Sequence, residues 1–122
     1  MIHGSVNEQD EPLGPITLIV KKRSKHLQAV LDTGFNGYLS VPQSVADTSD
    51  WYFAGYEEYE IATGDLVQER VYIGDVVFEG ERHMVPVVTS YAEDVLIGTK
   101  LLQGKELHID FKKQTLWVKK AV

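Results

Sequence analysis

The chain is broken into strand-length runs of β-branched and aromatic residues with turn formers between them, and that punctuation narrows the fold more than any other feature of the sequence. Ile16–Val20 and Leu27–Leu31 flank a polar turn at Arg23–His26, which predicts a hairpin. Tyr38–Val41 is another short run. Glu57–Ala62 and Leu66–Ile73 flank Thr63-Gly64-Asp65, a second predicted hairpin, and Val76–Phe78 and His83–Val88 flank a turn at Glu79–Glu81. Val95–Ile97 is compact and wholly apolar, the pattern of a strand buried on both faces. Lys105–Phe111 and Leu116–Val122 make a last hairpin around Lys112–Thr115. Helix signals are confined to two places. Pro42 can open a turn that runs through Ala46, and Thr99–Gln103 is followed by Gly104, the residue type that best closes a helix in the left-handed conformation. The expectation is an all-β domain, a closed or partly closed barrel with one or two short helices.

With 122 residues the chain suits one domain that buries roughly two-thirds of its unfolded surface. Residues 1–13 read as a flexible N-terminal arm, because Ser5–Glu11 is polar and acidic without periodicity and Pro12, Gly14 and Pro15 follow. Residues 14–122 read as the domain. The 12 basic and 18 acidic residues give a formal net charge of −6, which opposes neutralising a phosphate backbone, so nucleic acid is not an expected partner. No apolar run approaches the length of a membrane span, and no membrane partner is expected. The absence of cysteine removes disulfides and thiolate metal sites. Met1-Ile2-His3-Gly4 lacks the basic-then-apolar pattern of a secretion signal, and cytoplasmic residence is the expectation.

Within this frame one tripeptide carries chemistry. Asp32-Thr33-Gly34 follows the apolar run Ala29-Val30-Leu31 and precedes Phe35-Asn36-Gly37-Tyr38-Leu39. By itself the tripeptide is a turn signal, since Asp, Thr and Gly each favour turns, and it arises by chance in a chain of this composition with a probability on the order of a few per cent. Its context adds weight. An apolar strand that ends in Asp-Thr-Gly delivers a carboxylate at the end of a buried element, where the Thr hydroxyl and the Gly amide can hold it still. A second signal is Val95-Leu96-Ile97-Gly98-Thr99-Lys100-Leu101-Leu102: a buried strand, a Gly that allows close backbone approach, and a helical turn.

With both motifs in this order, the chain resembles the retropepsin-like aspartic proteases, the retroviral-protease-like group found as stand-alone proteins in prokaryotes. The likeness runs from about Ile16 to Val118. It implies that Asp32 is the catalytic carboxylate, that Thr33 braces two facing loops, and that Gly34 hydrogen-bonds the carboxylate through its amide. It further implies that the Glu60–Leu66 hairpin is a flap over a bound peptide. Phe35, the flap-tip residues Ala62, Thr63 and Gly64, and Leu96 and Ile97 would border the substrate, with Gly98 packed behind the loop. No cofactor and no metal are implied.

Amide hydrolysis needs a base to activate water and an acid to protonate the carbonyl oxygen or the leaving nitrogen. Two close carboxylates hold one proton between them and supply both. This chain has one Asp-Thr-Gly, and its length excludes a second lobe of about 100 residues. The resemblance therefore implies a homodimer acting on a peptide or protein substrate, with one Asp32 from each copy. Retroviral members interleave their termini at the interface, an arrangement that the charged N-terminal arm here does not match. Phe35 stands where the family usually has Ala or Ser, Asn36 and Gly37 replace the acidic residues that grip the substrate backbone, and the flap tip is not Gly-rich. A second reading accordingly stays open: a protease-like module that dimerises or binds peptide without cleaving it.

Other constellations carry less. His108 and Asp110 share one face of a predicted strand and could bind metal, although a solvated strand face is the better reading. Gly98–Lys105 has the wrong spacing for a phosphate loop, with Glu106 where Ser or Thr is required, and no Gly-x-Ser-x-Gly elbow exists. Lys112-Lys113 and Lys119-Lys120 read as charged strand edges, and Trp51, Tyr52 and Phe53 as an aromatic cluster that either joins the core, the safer reading, or rims a binding cleft.

Overall fold

A computed structural model describes all 122 residues. Its ten strands are β1 (Ile2–Val6), β2 (Pro12–Val20), β3 (Arg23–Leu31), β4 (Leu39–Pro42), β5 (Tyr52–Glu60), β6 (Leu66–Phe78), β7 (Glu81–Ser90), β8 (Leu96–Ile97), β9 (Lys105–Asp110) and β10 (Thr115–Lys120). Two short helices interrupt them, α1 (Gln43–Asp47) and α2 (Thr99–Leu102). Neither is long or apolar enough to cross a membrane. The strands form one sheet in the order β5-β6-β7-β4-β8-β3-β2-β1-β10-β9. A further pairing of β2 with β6, Thr17 to Ile19 against Asp75 to Val77, closes the middle of that sheet into a six-stranded barrel.

Alternation along the barrel strands builds the core. Ile16 and Leu18 of β2, Ala29 and Leu31 of β3, Leu39 and Val41 of β4, Val76 and Phe78 of β6, and Val85 and Val87 of β7 all point inward. Each of these side chains larger than Ala29 contributes about 1.5–3 kcal/mol through removal from water, so the barrel interior is the main source of stability. Trp51 closes one end, its indole N–H donating to the Ile19 carbonyl at 2.9 Å.

Two expectations need correction. The arm over residues 1–13 is part of the sheet: β1 pairs antiparallel with β10 (Ile2 opposite Val118, Ser5 opposite Thr115) and touches β2. Val6 is buried, and the burial that holds this segment comes from the far end of the chain, so local polarity could not disclose it. The turn of the first hairpin lies at Lys21-Lys22 rather than at Arg23–His26. Both lysines take positive φ (50° and 64°), the twist that a two-residue hairpin requires, and β3 therefore starts at Arg23. Elsewhere the expected segments Leu66–Ile73 and Val76–Phe78 fuse into the single long strand β6. The aromatic cluster divides, with Trp51 buried but Tyr52 and Phe53 exposed at 73% and 43%.

An ion-pair cluster fastens the terminal hairpin β9–β10 to the barrel. The Lys105 Nζ lies 3.0 Å from the Glu79 carboxylate and 3.7 Å from that of Glu81, and the Lys120 Nζ lies 3.1 Å from Glu81. The hydrogen bond from Lys105 holds the Glu79 carboxyl below the usual range, and the bond from Lys120 does the same for Glu81. Carboxylates with depressed folded-state pKa values stabilise the fold above their unfolded pKa, and that contribution disappears as pH falls through the folded value. Lys105→Met should therefore lower the urea midpoint at pH 7 while the variant and the parent converge near pH 3. Urea titrations of both proteins at the two pH values check this.

Candidate active site

The candidate site is assembled by two chain crossings at one end of the barrel. β3 runs parallel to β8, with Val30 opposite Leu96 and Leu31 opposite Ile97, while β4 runs antiparallel to β8 on its other side. The two-residue strand β8 is thereby enclosed between neighbours, which is why its sequence is apolar on both faces. The loop from Asp32 to Tyr38 leaves β3 and returns into β4, straddling β8. Backbone bonds lock it there: the Asp32 N–H donates to the Ile97 carbonyl at 2.9 Å, the Gly98 N–H to the Tyr38 carbonyl at 3.0 Å, the Thr99 N–H to the Phe35 carbonyl at 2.8 Å, and the Lys100 N–H to the Gly37 carbonyl at 3.1 Å.

Gly98 is the contact on which this crossing turns. A Cβ there would collide with the Gly37 carbonyl and approach the Phe35 ring to 2.8 Å. The Phe35 ring lies against both glycines, since a Cβ on Gly37 would stand 2.6 Å from its Cζ. The bulky residue at this position is thus accommodated by absent side chains on Gly37 and Gly98.

Asp32 sits half-buried at the end of β3, with Thr33 and Gly34 exposed beside it. One carboxylate oxygen, Oδ1, accepts the Gly34 N–H at 2.9 Å, and the Phe35 N–H donates to the Asp32 carbonyl at 3.1 Å. The side chain is therefore oriented by its own loop. This geometry presents a positioned carboxylate at an accessible surface, the requirement for a group that moves protons to and from a bound molecule.

The remaining expected site residues distribute unevenly. Ala62, Thr63 and Gly64 form the exposed tip of the β5–β6 hairpin, where the Gly64 N–H donates to the Ile61 carbonyl at 2.9 Å and the Thr63 hydroxyl to Asp65 at 3.0 Å. Leu96 is half-buried. Ile97, expected near the substrate, is fully enclosed in the barrel core at 0% exposure, because adjacent residues of a strand face opposite ways and Ile97 faces inward. His108 stacks on Trp117 with ring centroids 3.7 Å apart, and Asp110 accepts the Lys112 and Lys113 N–H groups at 3.0 and 2.9 Å in the β9–β10 turn. No group of three or more His, Asp or Glu side chains converges in a way that could hold a metal ion. One residue without a role in the sequence reading emerges at the base of the hairpin: Arg70 of β6 lies 3.3 Å from Asp47 of α1 and ties the hairpin to the barrel. Its only sequence signal is that it is the first base after five carboxylates, Glu57, Glu58, Glu60, Asp65 and Glu69.

Two substitutions separate architecture from chemistry. Gly98→Ala should cost about 3 kcal/mol of unfolding free energy, because backbone rather than a mobile side chain opposes the new methyl. Asp32→Ala removes a single local hydrogen bond and should shift stability by less than about 1 kcal/mol. Chemical denaturation of both variants, followed by circular dichroism, measures the difference.

No protein-family model matches the chain, and a search of curated proteins finds no match in sequence. Solved structures do match. A retropepsin-like aspartic protease from Rickettsia conorii superposes with a TM-score of 0.61 at 18% identity, over 93% of this chain and 86% of that one. The simian foamy virus protease superposes with a TM-score of 0.55 at 19% identity, over 72% of this chain and 90% of that one. A mostly β chain with a closed six-strand barrel, two short helices and these structural neighbours has the retropepsin-like fold.

Proposed function

We propose that the chain is one half of an aspartic endopeptidase, completed when a second copy brings its own Asp32 to face the first. The observation that carries this reading is the Asp32 carboxylate itself, oriented by the Gly34 amide just past the buried Leu31 at the end of β3 and left partly open to solvent. The two structural neighbours, named as proteases, support the same class.

The chemistry follows from the pair. Two carboxylates at close range share one proton, so one is a base while the other is an acid. The ionised member takes a proton from water as the water oxygen attacks the peptide carbonyl carbon, and the protonated member gives its proton to the carbonyl oxygen. Collapse of the tetrahedral species breaks the C–N bond: the nitrogen takes up the proton that came from water, and one hydroxyl on the carbon returns its proton to the other carboxylate as it becomes the new carbonyl, so the dyad again holds one proton. The β5–β6 hairpin lies over the peptide and holds it in extended form through backbone bonds. Phe35 does not argue for a silent module, because its ring is occupied against Gly37 and Gly98.

Cleavage of a mixed peptide library by the purified chain, read by mass spectrometry, tests the proposal. Asp32→Asn should reduce the rate by about a thousandfold or more while leaving the fold intact, since the amide can neither accept nor donate the required proton. Equal cleavage by parent and variant would overturn the assignment. The rate per chain should also fall on dilution through the dimer dissociation range, and a constant rate per chain there would count against the shared site.

A further inference from the structure

The inward face of β7 turns polar where it runs past the hydrophobic core. Val85 and Val87 are buried in the barrel, and earlier on the same face, at alternate positions, stand His83 and Glu81. Together with Tyr38 of the active-site loop, Lys100 of α2, Lys105 of β9 and Lys120 of β10, they line a cavity of about 290 Å³. Small-molecule sites begin at about 300 Å³, so this one suits a ligand of few atoms.

The charges around the cavity do not balance. Three ammonium groups, those of Lys100, Lys105 and Lys120, line it against the single carboxylate of Glu81. Glu79, outside the lining, is paired with both Lys105 and the Met1 ammonium, at 3.0 and 3.1 Å, so its charge is already offset. Lys105 is held at 7% side-chain exposure between Glu79 and Glu81, whereas the Lys120 side chain is 70% exposed. Lys100 has an aromatic face rather than a carboxylate beside it, its Nζ lying 5.8 Å from the centre of the Tyr38 ring. The cavity is thus a positive site on a chain whose formal net charge is −6. In its wall the His83 Nε2 is enclosed without a hydrogen-bond partner, although buried polar atoms are ordinarily bonded.

We propose that this cavity binds a phosphate group, carried by inorganic phosphate or by a small phosphomonoester, between the ammonium groups of Lys100 and Lys120 with His83 at its floor. A phosphate group carries about 1.5–2 negative charges at neutral pH, which answers the local excess of ammonium groups. Lysines serve phosphate as point charges, and a phosphate oxygen set on the floor gives the His83 Nε2–H an acceptor. The site borders the crossing that presents Asp32. The Lys100 N–H donates to the Gly37 carbonyl at 3.1 Å, and the Tyr38 carbonyl accepts the Gly98 N–H at 3.0 Å. Phosphate held by Lys100 and Lys120 therefore ties α2 to β10 and braces the loop from behind.

Amide and imidazole NMR of the full chain, titrated with sodium phosphate at pH 7 and constant ionic strength, reads binding without any cleavage assay. The amides of Lys100, Gln103 and Gly104 and the His83 ring should shift and saturate together, with a Kd of about 1 mM or tighter. Lys100→Met keeps the apolar stem, removes the ammonium group that no carboxylate shares, and should raise this Kd about tenfold or more. Lys113→Met removes the same charge from the exposed β9–β10 turn, outside the cavity, and should leave the Kd within about twofold. A parallel titration with glycerol 3-phosphate separates the two sources: tighter binding than inorganic phosphate assigns the site to a phosphomonoester, and weaker binding assigns it to the free ion. Shifts that remain linear up to about 20 mM phosphate would overturn the site, as would equal losses in Lys100→Met and Lys113→Met, the mark of unspecific charge attraction. Either result leaves the protease reading where it stands.

Discussion

The crossing of the Asp32–Tyr38 loop over β8 is the constraint from which the rest of the site follows. Five main-chain bonds span it, from Val30 N–H to the Val95 carbonyl at 2.8 Å through to Lys100 N–H and the Gly37 carbonyl at 3.1 Å. Because these are bonds between backbone groups, the loop's position depends little on which side chains it carries. It depends strongly on two residues having none, Gly37 and Gly98. That arrangement lets the carboxylate of Asp32 be positioned to hydrogen-bond precision by a scaffold whose stability comes from elsewhere, the aliphatic interior of the barrel.

The division of labour extends outward. The barrel core holds β3, β4 and β8 in place, the ion-pair cluster of Glu79, Glu81, Lys105 and Lys120 fastens the terminal hairpin to it, and Arg70 with Asp47 anchors the β5–β6 hairpin at its base. The hairpin's distal half, from Tyr56 to Leu66, is the longest stretch of the chain exposed at every residue. A segment with so few buried contacts is the part of a domain that opens most easily, which is what the proposed flap role requires.

Much of the fold was legible in the residues. The strand runs, both helical turns and the Asp-Thr-Gly loop lie close to where punctuation and periodicity put them, because each is controlled by neighbours a few positions away. The losses are instructive for the same reason. Residues 2–6 read as an arm because their partners, Thr115–Val118, lie at the opposite end of the chain. Lys21-Lys22 did not read as a turn because lysine is not a turn former, and the flanking strands impose its positive φ. Which of Leu96 and Ile97 turns into the core could not be read from the motif, because the direction of a side chain on a two-residue strand is settled by the strands on either side of it.

The sequence by itself determined the all-β class and the single Asp-Thr-Gly of these 122 residues. These are properties of composition, local spacing and count, which survive without knowledge of what touches what. The tertiary structure decided that the N-terminal segment is a strand, that Phe35 rests on two glycines, and that β9 lies at one open edge of the sheet. Each of these depends on which distant segments pair and in what register, and a shift of one residue in that register reverses which groups face the core and which face a neighbour.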